Sequence, residues 1–107
     1  MKIDYSPLYT TENLVTLKGR AKAGVAISPG TVIGVTANGE VAPYNKSATD
    51  GSNVARGIAL CEVSADDEDR TVIYAIMGVV IESKCKLLDA DAKSALTTIY
   101  FVKDTQM

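Results

Sequence analysis

The sequence predicts a mainly β protein, a small barrel or folded-over sheet with one short C-terminal helix and an extended N-terminal arm. Three observations carry that reading. Short runs rich in β-branched residues are separated by turn signals, among them Pro29-Gly30, Asn38-Gly39 and Asp50-Gly51. Only residues 88–96 have the composition of a helix. The opening residues, 1–16, follow neither a helical nor a strand period for more than a few positions.

Residues 1–16 read as a flexible arm, and residues 17–107 as a single β-rich domain. The arm's apolar residues, Ile3, Tyr5, Leu8, Tyr9 and Leu14, are spread too thinly to bury much of a shared core. Such an arm is expected to be dispensable for folding. Val15-Thr16-Leu17-Lys18 alternates as a short strand. Gly19 and Gly24 then flank a stretch of small and basic residues. Ser28-Pro29-Gly30 suits a type II turn, because proline fixes φ and glycine accepts a positive φ. The β-branched run Thr31-Val32-Ile33-Gly34-Val35-Thr36 predicts a strand. Asn38-Gly39 is a strong hairpin signal, so 40–44 should return beside it, with Pro43 ending the strand or lying at an edge.

Residues 45–53 form a polar loop, and β character resumes from Val54 to Val63. The acidic run Asp66-Asp67-Glu68-Asp69 connects it to 71–81, the longest strand candidate, in which Gly78 marks a bulge or a close backbone approach. In the helix, Asp89 is the expected N-cap, and Leu88, Ala92, Ala95 and Leu96 could share a face. Residues 97–102 read as a last strand. The total is five to seven short strands and one helix. Parallel α/β architecture is excluded, since the crossover helices it needs are missing.

Composition narrows the function. The chain has 107 residues, enough for one domain with a thin stability margin, which favours oligomerisation. The 47% apolar fraction excludes wholesale disorder. With a net charge of −2 and scattered Lys and Arg, no basic stripe can follow a phosphate backbone, so no nucleic-acid partner is expected. No run is long and apolar enough for a membrane span or a signal peptide, which predicts synthesis in the cytoplasm. Cys61 and Cys85 form no CxxC pair and read as small buried hydrophobes.

Chemistry is equally sparse. The chain contains no histidine, so neither a Ser-His-Asp nor a Cys-His arrangement can form. Phosphate-binding glycine motifs are absent. The acidic run could offer oxygen ligands to Ca²⁺, but its spacing is not that of an EF-hand loop, and a solvated turn explains it more simply. No catalytic, cofactor or metal site is expected, and the chain reads as a binding or structural protein.

The segment Asp50-Gly51-Ser52-Asn53-Val54-Ala55-Arg56-Gly57-Ile58-Ala59-Leu60 resembles a motif of the head decoration proteins of lambda-like phages. The acidic connection, the strand 71–78 and the late helix follow in matching order. Ser28-Pro29-Gly30-Thr31-Val32-Ile33-Gly34 is similar to the glycine-punctuated strand pair of β-clip folds. The resemblance covers roughly residues 20–102 and implies a β-clip-like subunit that forms homotrimers. These would bind the major capsid protein on the outside of an expanded phage head and reinforce it against packaged DNA. It also implies that the arm, flexible in solution, becomes ordered against the capsid through Ile3, Tyr5, Leu8, Tyr9 and Leu14. The chain departs from the lambda type in lacking tryptophan and a proline- and alanine-rich arm. Two other readings remain open: another phage part such as a tail or baseplate subunit, and a small-ligand-binding β-clip module, which would need a concave polar pocket.

Overall fold

A computed structural model describes residues 3–103. Six strands form one sheet: β1 (Leu8–Arg20), β2 (Val32–Val35), β3 (Val41–Pro43), β4 (Gly57–Ala59), β5 (Thr71–Ile81) and β6 (Ile99–Val102). A short helix, α1 (Ala90–Ala95), precedes β6. The order is β1-β5-β4-β2-β3, with β6 also pairing β5. The expected mainly β architecture with one C-terminal helix is therefore present.

Local chemistry explains most of these elements. At the first turn, the Thr31 amide donates to the Ser28 carbonyl at 3.1 Å. At the second, Gly39 takes φ 84° and its amide donates to Thr36 O at 2.8 Å, closing the β2–β3 hairpin. Pro43 ends β3 on the sheet edge, where a missing N–H costs no ladder bond. Asp89 caps α1 by accepting from the Ala92 amide at 2.8 Å, and the Tyr44 hydroxyl donates to the same carboxylate at 3.2 Å. Ala92 and Leu96 face the core and Leu88 packs beside them, whereas Ala95 points to solvent.

The core explains why strict alternation is hard to find in the middle of the chain. Val32, Ile58 and Leu60 feed one apolar cluster, together with Leu8, Val80 and Ile99. Their neighbours Ile33, Ala59 and Cys61 feed a second cluster, with Ile27, Val63 and Val72. β2 and β4 are thus covered on both faces, which requires continuous apolar runs.

Three features differ from expectation. One pair is parallel: β6 runs along Gly78 to Ile81 of β5, and the connection through α1 is the crossover that a parallel pair needs. The longest strand is β1, not β5. It crosses the boundary drawn at residue 16, and Leu8, placed in the arm as a minor contributor, lies in the core at 8% exposure. Residues 1–2 of the arm and 104–107 of the domain lie outside the described residues.

The loop 45–53 is held by charge. Asp50 Oδ1 accepts from the Ser52 hydroxyl at 2.6 Å and the Ser52 amide at 3.0 Å, and Oδ2 pairs with Lys22 Nζ at 3.1 Å. These bonds from Ser52, and then from Lys22, hold the Asp50 carboxyl well below its ordinary value of 3.8. A depressed folded pKa means that the ionised form stabilises the fold above the ordinary value, and that this contribution fades as pH falls below about 4. Asp50→Asn is therefore expected to lower the melting temperature at neutral pH and to flatten its decline between pH 5 and 3. Parallel melting curves against wild type check this; an unchanged slope would contradict it.

Candidate functional site

The arm residues divide by the direction they face. Ile3, Leu8 and Leu14 pack on the first core cluster. Tyr5 and Tyr9 are exposed, at 50% and 46%. Pro7 and Leu8 are buried, the Pro7 carbonyl accepts from the Ile81 amide at 2.8 Å, and the Asp4 amide donates to Leu60 O at 2.6 Å. The five residues are therefore not one surface: three hold the segment to its own subunit, and two are presented outward.

β1, β5 and β6 carry further exposed apolar residues that sequence reasoning missed. Directly opposed residues of paired strands share a face. Val15 lies opposite Met77, Thr10 opposite Val79, and Val79 opposite Tyr100. Met77 and Val79 alternate along β5, so these pairs fall on the same side of the sheet. Leu17 lies opposite Tyr74, beyond a register shift between Val15 and Thr16, and it borders a separate hollow with Val35, Val54, Tyr74 and Ile76, rimmed by Arg56. Tyr9, Val15, Leu17, Val54, Met77 and Tyr100 are each 40–65% exposed. Exposed apolar side chains that form contiguous patches mark interaction surfaces. Among the described residues β1 is also an edge strand of the sheet, paired with β5.

β5 is apolar at nearly every position and feeds both core clusters, Ala75 and Val80 the first and Val72 and Tyr74 the second. Among the described residues α1 packs with the first cluster, and Met77 of β5 is left 40% exposed.

Elsewhere the polar groups serve the fold. Arg70, which follows the acidic run, is buried, and its guanidinium donates to the carbonyls of Lys22 at 2.7 Å, Val25 at 2.6 Å and Ser64. It clamps the acidic loop to the turn after β1, a role no sequence pattern announces. In the loop itself, Asp67 accepts from the Ser64 amide and Asp69 from the Thr71 amide, so two of the four carboxylates stabilise the turn. Among the described residues, no group of three His, Cys, Asp or Glu side chains gathers where a metal ion could be held. Both cysteines are free, and burial, followed by the Glu82 charge, pushes the Cys85 thiol up to about 11, so it is not a thiolate at neutral pH. No helix among the described residues is long and apolar enough to cross a membrane.

The segment from Asp50 to Leu60 has a structural meaning too. Asp50 and Ser52 fix the loop, Ala55 and Ile58 enter the core, and Gly57 crosses β5 so closely that a Cβ would lie 2.5 Å from the Ala75 carbonyl oxygen. These residues of the segment serve the fold.

The family model of bacteriophage lambda head decoration protein D matches residues 5–97, most of the chain. A search of curated proteins finds no match. A mainly β subunit with an exposed apolar face and a family match of this extent has a structural, capsid-associated role, and its place is with the virion. The chain belongs to the bacteriophage lambda head decoration protein D family.

Proposed function

We propose that the chain decorates the outside of an expanded phage head as a homotrimer, binding the major capsid protein and stabilising the shell against internal DNA pressure. The exposed apolar face of β1, β5 and β6 is the observation that supports this reading best. It offers neighbouring protein a broad contact and offers no reactive group to a substrate. Burying apolar surface contributes roughly 25 cal/mol per Å², so each exposed side chain on this face is more stable covered than wet. The outer edge of β1 can add a strand from a partner, and Tyr5 and Tyr9 beside it supply side-chain anchors. Three subunits joined together engage three shell sites at high effective concentration, so weak single contacts add to a durable one. That arithmetic holds only where the lattice spacing fits, which is why an expanded shell is the expected target.

Removing residues 1–14 is not a clean test of the arm, because it strips Pro7 and Leu8 from the core. The double substitution Tyr5→Ser, Tyr9→Ser leaves the inward residues in place. Purified chain is expected to pellet with emptied, expanded heads of a lambda-like phage and to stay in solution with unexpanded ones. The tyrosine variant is expected to pellet at least tenfold more weakly, with its melting temperature within a few degrees of wild type. Wild-type chain that remains in the supernatant with both kinds of head would overturn the proposal.

A further inference from the structure

We propose that copies of the chain join head to tail, Leu87 of one copy entering the hollow rimmed by Arg56 on the next, with Asp91 of the entering copy meeting that Arg56; this rests on the trimer in the reading above. Leu87 is 53% exposed and takes φ 66°, a left-handed conformation that leucine adopts only at a steric cost. The chain is pinned on both sides of it. The Lys86 amide donates to Gly30 O at 2.9 Å, and the Lys86 carbonyl accepts from the Val32 amide at 3.0 Å. Two residues beyond, the Asp89 carboxylate accepts from the Ala92 amide at 2.8 Å and the Tyr44 hydroxyl at 3.2 Å. Strain fixed in this way by its surroundings points to a functional contact. Asp91, one turn further, is exposed, and its carboxylate pairs with no cation among the described residues.

The hollow has the complementary chemistry. Leu17, Val35, Val54 and Ile76 give it apolar walls around about 630 Å³, room for a leucine side chain and the backbone that carries it. Tyr74 also lines it, and the residue is only 7% exposed. Its ring is lodged against Gly57, where a Cβ would lie 2.8 Å from Cδ2. Among the described residues nothing bonds to its hydroxyl, a donor left for an acceptor from outside. The Leu87 carbonyl, which accepts no backbone bond among the described residues, enters with its side chain as such an acceptor. Arg56 stands exposed at the rim, also without an ion-pair partner among the described residues. Opposite charges facing each other across an interface fix its register.

A subunit cannot fill its own hollow. Leu87 sits beside Thr31 and Pro43 at the start of β2, whereas the hollow is bordered by Val35 and Thr36 at its end. Five residues of extended chain put roughly 16 Å between the two ends. The occupant is therefore a second copy. A contact between two unlike patches is heterologous, and it closes into a ring when each copy is rotated equally from the last.

The test joins the two patches covalently in the full-length chain. Leu87→Cys and Val54→Cys are combined in a Cys85→Ser background, with the fully buried Cys61 retained. After oxidation with diamide, the double variant is expected to run as a covalent trimer on non-reducing gels and to return to monomer with reductant. Neither single variant can give more than a dimer. A double variant that stays monomeric, while the wild-type chain sediments as a trimer, overturns the pairing and leaves the trimer standing. A ladder running past three copies overturns the closed ring, and a wild-type chain that sediments as a monomer overturns the trimer itself. Arg56→Asp and Asp91→Arg should each weaken association at least tenfold, and together should restore it. Single variants that associate as wild type does, or a double variant that does not recover, overturn the ion pair. Leu87→Gly suits the positive φ, so the dissociated subunit should melt no lower than wild type while association falls at least tenfold. Unchanged association of this variant overturns the role of Leu87.

Discussion

Leu17→Glu with Met77→Glu is expected to abolish self-association while leaving the subunit folded. Both side chains are exposed, at 47% and 40%. In the isolated subunit each new carboxylate stays in water, so each change should cost no more than about 0.5 kcal/mol. In an assembled trimer the same carboxylates would be desolvated against apolar neighbours, at about 3 kcal/mol or more for each unpaired charge. With the lost apolar contact added, association should weaken by at least a hundredfold. Sedimentation velocity at micromolar concentration reads the effect directly: wild type is expected to run as a trimer and the variant as a monomer. A variant that still runs as a trimer would place the interface elsewhere.

Ile58→Ala is expected to do the opposite, weakening the fold without touching the surface. Ile58 is fully buried, pairs with Val32 on one side and Ala75 on the other, and belongs to the first core cluster. Removing its outer carbons forfeits transfer free energy and leaves a cavity, together about 2–5 kcal/mol. Domains of this size hold about 5–15 kcal/mol in total, so the loss is a large share. At roughly 4–8 °C per kcal/mol, the melting temperature should fall by 10 °C or more. Urea denaturation gives the same quantity as a shifted midpoint, and a fall of less than 3 °C would mean that the site relaxes around the gap. Together the two variants separate residues that hold the subunit from residues that join it to others.

How much of this was legible depended on how local the cause was. The Asn38-Gly39 hairpin and the Asp89 cap are decided within five residues, and the sequence announces both. β1 is different. Its 13 residues alternate poorly because a bulge interrupts it, and what holds it in place is pairing with residues about 50–70 positions away. Read along the chain it is a loose tail; the strand exists only once β5 is there to receive it. The parallel β6 was hidden for a related reason, since a six-residue helix is short for a crossover. Arg70 gave no signal because its three acceptors are backbone carbonyls, two of them on a distant turn.

The candidate site was legible only in part. Tyr5 and Tyr9 do face outward, but grouping them with Leu8 ignored the alternation of direction along a strand. β5 is uniformly apolar because it contributes to both core clusters, and the exposure of Met77 within it depends on packing that no local pattern announces.

Electron cryo-microscopy of expanded lambda-like heads mixed with the purified chain tests the central claim most directly. Density for three copies should stand on the outer surface around local three-fold positions, with Leu17, Met77 and Tyr100 buried against protein. Absence of bound density, or bound subunits whose β1-β5-β6 face looks into solvent, would contradict it.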